Sequence, residues 1–296
     1  MDAFFLLLHN PFAFSAYILL ICSIIACWIA PKYYLFAPLY IASYSLAYFG
    51  GVVTYPSLFP LLLLIASLAL LKCNVKRFIH LFASMIVAIA GVGIITHMIV
   101  GFNNLLLLSQ VTYGNSNVFM NLYLNFDKVS LAIFLLGLNI KVLQTKESWK
   151  QTLIITIPWI AFSVFILLGF SKMSHLVALD IKLPSTTAYW LIINLFFVVI
   201  PEEAFFRGFL QHEIVKNLKN KAAPALAILT VSLLFTLIHL FFSLNISFLV
   251  VTFIASVLYG TIFYFSGSIE SAIITHFSVN VIHFFFFTYP YIQVKV

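Results

Sequence analysis

Charged residues are scarce in this chain. They make up 8% of its 296 residues, while hydrophobic residues make up 64%. Soluble domains run at about a quarter charged and near half apolar. These proportions, with a mean hydropathy of +1.13, exclude a soluble globular protein. Acidic residues are scarcer still, eight against fifteen Lys and Arg. The net charge of +7 is assigned to basic loops on the inner membrane face, so no nucleic-acid partner is expected. Cysteine is limited to Cys22, Cys27 and Cys73, all in or beside apolar runs. An odd number without metal-ligand spacing argues against a disulfide framework and leaves packing thiols. A basic segment ahead of the first span is missing, so no cleavable signal peptide is expected after Met1-Asp2. Two-residue alternation is missing from the apolar runs, which points away from a barrel and towards helices. The expected fold class is all-α, a polytopic transmembrane helical bundle of about eight to ten spans.

Breaks at Pro, Gly, Asn and charge place spans at 11–30, 33–53, 55–71, 78–100, 122–140, 153–170, 188–210, 224–243, 247–265 and 269–288. A perpendicular span needs about 20 residues, and 55–71 and 122–140 are the weakest. The second of these opens on polar Asn125, Asp127 and Lys128. With the N-terminus outside, the inner loops hold Lys32, Lys72, Lys76, Arg77, Lys141, Lys146, Lys150, Arg207, Lys216, Lys219 and Lys221. The outer side keeps Lys128, Lys172, Lys182 and Lys295. This bias predicts both termini outside and an even number of spans. Segment 103–121 carries Asn103, Asn104, Asn115, Asn117 and Asn121 and reads as an outer loop, partly re-entrant. It divides an N-terminal region, 1–121, from a C-terminal helical core, 122–296. No internal repeat is evident, which counts against an inverted-repeat transporter.

Within this apolar background Glu202 and Glu203 stand side by side, after the run from Tyr189 to Ile200 and Pro201. Ionisable groups inside a bilayer cost several kcal/mol, so they mark functional sites by default. Arg207 follows Glu203 at i+4, the spacing and order of a helical ion pair. Glu202 lies about 100° further round the helix and keeps no local partner. A carboxylate in a low-dielectric pocket suits general-base work near neutral pH. Further on come Phe235-Thr-Leu-Ile-His239 and His276-Phe-Ser-Val-Asn280, each pair one turn apart, with His283 continuing the second stripe. Phe235 can seat against the His239 ring. Read singly, each motif also has a structural reading: a packing ion pair, a satisfied core histidine, an interhelical hydrogen-bond seam. Read together, a Glu, two His and an Asn from three late helices form a convergent polar cluster. The chemistry that fits is water activated by Glu202 and His239, with His276 and Asn280 donating to the oxyanion of an attacked peptide carbonyl.

In order and spacing, Glu202-Glu203-x-x-x-Arg207, Phe235-x-x-x-His239 and His276-x-x-x-Asn280 resemble the three signature motifs of the CAAX protease and bacteriocin-processing family. This family is also called Abi, or type II CAAX prenyl endopeptidase-like. The resemblance covers 188–288. It implies an all-helical, glutamate-dependent intramembrane endopeptidase. Glu202 would be the catalytic glutamate, His239 its partner, and His276 with Asn280 the oxyanion site. Glu203, Arg207 and Phe235 would support them. Asn125-Phe-Asp127-Lys128 is similar to a segment of family members that accompany exosortase-type protein sorting, which implies a membrane-associated protein or peptide substrate from such a system.

Other signals are decoys. His212-Glu213 opens like a zincin motif, but position 216 is Lys, and the pair is expected to be solvated in a basic loop. No Gly-x-Ser-x-Gly elbow surrounds Ser171, Ser266 or Ser268. His9, His80, His97 and His175 read as packing or interfacial residues. No cofactor is expected, although a Glu with two His also meets the needs of zinc. Two alternatives remain from other classes: a membrane carrier with an intramembrane Glu/His site, and a non-catalytic immunity or scaffold protein. The expected location is a prokaryotic plasma membrane.

Overall fold

A computed structural model describes residues 10–29 and 33–292. His9, Lys32 and Lys295, used in the readings above, lie outside the described residues. The chain is 72% helical. In chain order the helices are α1 (Pro11–Ile29), α2 (Tyr33–Phe49), α3 (Leu58–Lys72) and α4 (Arg77–Ile95), then a β-hairpin, β1 (Leu105–Val111) and β2 (Met120–Leu124). There follow α5 (Phe126–Leu138), α6 (Lys146–Met173), α7 (Thr187–Leu218), α8 (Ala223–His239), α9 (Ile246–Ser266) and α10 (Ile269–Phe286). Among the described residues seven helices are long and apolar enough to cross a membrane: α1, α3 with its leading turn, α4, α6, α7, α9 and α10. The protein is a polytopic membrane bundle, as its composition requires, and α8 is a further apolar helix of shorter length.

Local sequence explains the helix ends. Asn10 accepts the Ala13 amide at 3.0 Å and Pro11 opens α1. Thr145 and Ser148 form a reciprocal capping box ahead of α6. Asn245 caps α9, and Gly267, at φ 64°, closes it in the left-handed region. Lipid tails give helices no hydrophobic reason to associate, so small polar groups matter at contacts. Ser23 donates to the Phe36 carbonyl at 2.9 Å and Ser43 to that of Ala16 at 2.7 Å, which fastens α1 to α2.

Two expectations are corrected in the middle of the chain. Segment 103–121 is a loop only in part, since strands occupy Leu105–Val111 and begin again at Met120. β1 pairs antiparallel with β2, Leu105 opposite Leu124, and two irregularities interrupt the register. The strands are short and bulged, so they carry no clean alternation that a sequence could announce. The predicted span 122–140 is therefore the end of this hairpin followed by α5. Thirteen residues make a helix of about 20 Å, too short for a hydrocarbon core of about 30 Å. Ten side chains of α5 are buried, and the helix packs among α1, α3, α4 and α7. It is apolar because it is a core element, not because it meets lipid.

The hairpin tip reaches the far end of the chain. Tyr113 bridges to Tyr289, and the Ser116 hydroxyl donates to the Tyr291 carbonyl. The Asn115 backbone and side-chain amides donate to the two Asp180 oxygens at 2.9 and 2.8 Å. Lys182 pairs with Asp180 at 3.3 Å. The hairpin thus straps the N-terminal helices to the segments flanking α7 and α10.

Candidate active site

α7 carries the paired glutamates, and its backbone is irregular around them. Regular turns at Thr187–Ile192, Ile200–Glu203 and His212–Leu218 alternate with wide π turns at Ile193–Val199 and Ala204–Gln211. The Ile200 amide reaches back to Leu195 and the His212 amide to Arg207, five residues each. Pro201 has no N–H and its ring crowds the preceding turn, so a wide turn ahead of it is well placed. Gly208 lets α7 approach the segment after α5, since a Cβ there would meet the Ile140 side chain.

Glu203 and Arg207 are both fully buried. Arg207 Nη1 donates to Glu203 Oε1 at 3.0 Å, and Nη2 donates to the Ser256 carbonyl and hydroxyl at 3.1 and 2.9 Å. The guanidinium lies over the rings of Phe235 at 4.9 Å and Tyr259 at 5.5 Å. One side chain therefore links α7, α8 and α9. Its burial corrects the charge count above: Arg207 does not lie in an inner loop. His276 Nδ1 donates to the same Glu203 oxygen at 2.7 Å, and its ring stacks on Tyr259, centroids 4.5 Å apart.

Glu202 is placed differently. It is 7% exposed and forms no hydrogen bond or ion pair with another described residue. It lines a cavity of about 500 Å³ together with His239, His276, Asn280 and His283. His239 Nδ1 donates to the Phe235 carbonyl at 2.8 Å, and its ring rests on Phe235 at 4.4 Å. Because the carbonyl can only accept, the neutral ring carries its proton on Nδ1 and its lone pair on Nε2. Asn280 Nδ2 donates to Asn194 Oδ1 at 3.2 Å. His283 is committed to the Thr288 carbonyl at 3.1 Å. Tyr289 also lines the cavity, and burial pushes its phenol above its ordinary range, so it stays a neutral donor.

Asn194, Ser256 and Tyr259 were missed by sequence reasoning. Asn194 sits eight residues before Glu202 in the apolar run, where its polarity was a usable signal. Ser256 and Tyr259 lie in a span with no motif. Elsewhere, Glu213 is not solvated: it is 7% exposed and takes hydrogen bonds from His80 at 2.8 Å and Ser84 at 2.9 Å. α7 continues as a helix to Leu218, which carries Glu213 against α4. His97 pairs with Asp127 at 2.6 Å, and His175 is exposed in the turn after α6. Cys27 is buried, Cys22 and Cys73 are exposed, and all three are free thiols. Among the described residues no group of three or more His, Cys, Asp or Glu is placed to hold a metal ion.

Fold and site define a class, a helical membrane protein that gathers a carboxylate unpartnered among the described residues, two imidazoles and two amides around one cavity. The family described as type II CAAX prenyl endopeptidase Rce1-like matches residues 184–282, which contain all of these groups. That match supports a CAAX-type protease activity in general, carried by a chain with seven helices long and apolar enough to cross a membrane among its described residues. No curated protein and no solved structure matches the chain.

Proposed function

We propose that the chain is an intramembrane endopeptidase in which Glu202 and His239 activate water against a peptide bond. The observation that carries this reading is the asymmetry of the two glutamates. Glu203 is spent on Arg207 and His276, while Glu202 is buried, cavity-lining and unpartnered among the described residues. Glu202 takes a proton from water, assisted by the His239 Nε2 lone pair. The water oxygen bonds to the carbonyl carbon and the carbonyl electrons move to oxygen. Asn280 stabilises that oxyanion with the amide hydrogen not given to Asn194. His276 joins it through Nε2 when both ring nitrogens carry protons, since Nδ1 is held by Glu203. Collapse breaks the C–N bond, and the proton passes from Glu202 to the leaving amine.

No cofactor takes part in this scheme, and cleavage is expected to survive removal of divalent metals by a chelator. The substrate is a membrane-associated protein or peptide, and we assign it to a protein-sorting system on the Asn125–Lys128 resemblance. The test compares peptide termini in membranes of cells expressing wild type or Glu202→Gln at equal levels, with the natural substrate present. Termini found only with wild type are expected, and identical termini would sink the proposal.

A further inference from the structure

The cavity holds a cation that the reaction above leaves unused. Lys128, in the first turn of α5, lines it alongside Glu202 and His239, with Asn121, Asn125 and His97 nearby in the lining. All four of these residues lie outside the matched segment 184–282. Lys128 is half-buried and lies near enough to His239 to interact electrostatically with its ring. Its ammonium forms no hydrogen bond or ion pair with another described residue, and neither it nor Glu202 belongs to any ion pair. The adjacent carboxylate forms no ion pair with it, since Asp127 is held by His97 at 2.6 Å and by the Lys128 amide at 2.8 Å. A cation in the first turn also opposes the helix dipole, which favours negative charge there. Among the described residues no side chain is bonded to this charge, which leaves it open to a partner supplied from outside the chain.

Taking the protease reading as given, the occupant of the cavity is a peptide, and the anions of an unmodified peptide are carboxylates. We propose that Lys128 is a specificity residue that receives a substrate carboxylate, either the C-terminal carboxylate or an Asp or Glu side chain. An ammonium–carboxylate pair in a partly desolvated cavity forms charge-assisted hydrogen bonds, stronger than neutral ones. Lys128 would then fix the register of the peptide relative to Glu202 without touching the scissile bond.

The experiment is affinity selection on the purified full-length protein, wild type and Glu202→Gln, from synthetic apolar peptide pools read by mass spectrometry. One pair of pools differs only in a C-terminal acid or amide, and another only in Asp/Glu or Asn/Gln. Retention of one carboxylate-bearing pool by about tenfold or more is expected, and which pool wins identifies the source of the carboxylate. The preference should vanish in Lys128→Met and persist in Lys128→Arg. Equal retention of matched pools, failure to retain any peptide, or a preference indifferent to Lys128→Met overturns the proposal. Melting temperature of each variant separates loss of recognition from loss of fold. Selection reads binding, so charge-selective capture without any cleavage by wild type would refute the protease reading and leave Lys128 as an anion-binding residue.

Discussion

α6 and α7 are the two longest helices among the described residues, at 28 and 32 residues, and both are apolar enough to cross a membrane. Their surroundings are opposite. Of the most apolar window of each, 22% is buried in α6 and 67% in α7. Each contains an internal proline, Pro158 and Pro201, yet only α7 widens into π turns. A proline alone therefore does not produce the irregular backbone. In α7 the wide turns accompany a buried network in which Glu203 meets Arg207 of the same helix and His276 of α10. The lesson is that hydropathy reports whether a helix can meet lipid, while buried polar contacts report whether it does.

Substitutions can break this comparison, and the largest effect is expected on α7. Glu202→Gln should lower kcat by about a hundredfold to ten-thousandfold, the range for a positioned general base, with an unchanged melting temperature in detergent. A comparable loss of folding stability would show instead that Glu202 is a packing residue like its neighbour. Arg207→Met should destabilise by about 3–5 kcal/mol, because it strands the buried Glu203 carboxylate. Thermal unfolding in detergent measures this, and Arg207→Lys should not restore stability, since one ammonium cannot reproduce the forked contacts to Glu203 and Ser256. Asn280→Ala should reduce kcat by about a hundredfold with little change in KM, as expected for a donor that acts chiefly in the transition state. Steady-state kinetics with the substrate found from the peptide termini separates the two parameters. Phe165→Ala, at a 75% exposed position of α6, should change stability by less than about 0.5 kcal/mol and leave kcat alone. A large effect there would mean that the lipid-facing side of α6 is a contact surface after all.

Much of the site was legible in the sequence because charge is so rare. Each ionisable residue inside an apolar run stood out, and i, i+4 spacing alone paired Glu203 with Arg207 and Phe235 with His239. The hairpin was not legible. Bulges break its alternation, and its asparagines look like loop. α5 was misread because an apolar helix buried by protein and one immersed in lipid have the same composition. Glu213 was misread because the helical extension of α7 carries it against His80, a contact between residues 133 apart.

By itself the sequence determined that the chain is a helical membrane protein and which of its few polar residues are candidates for chemistry. The cost of charge in a bilayer and the 3.6-residue period of the helix are local facts, and both are written along the chain. The tertiary structure decided what each glutamate meets beyond its own helix: Glu203 takes His276 from α10, and Glu202 lines the cavity. Glu202 and Glu203 are neighbours with the same side chain, and they differ in what α8, α9 and α10 bring against them. The same folding placed Asn194, Tyr259 and Lys128 around one cavity, because convergence from separate helices depends on packing distances that no spacing in a sequence encodes.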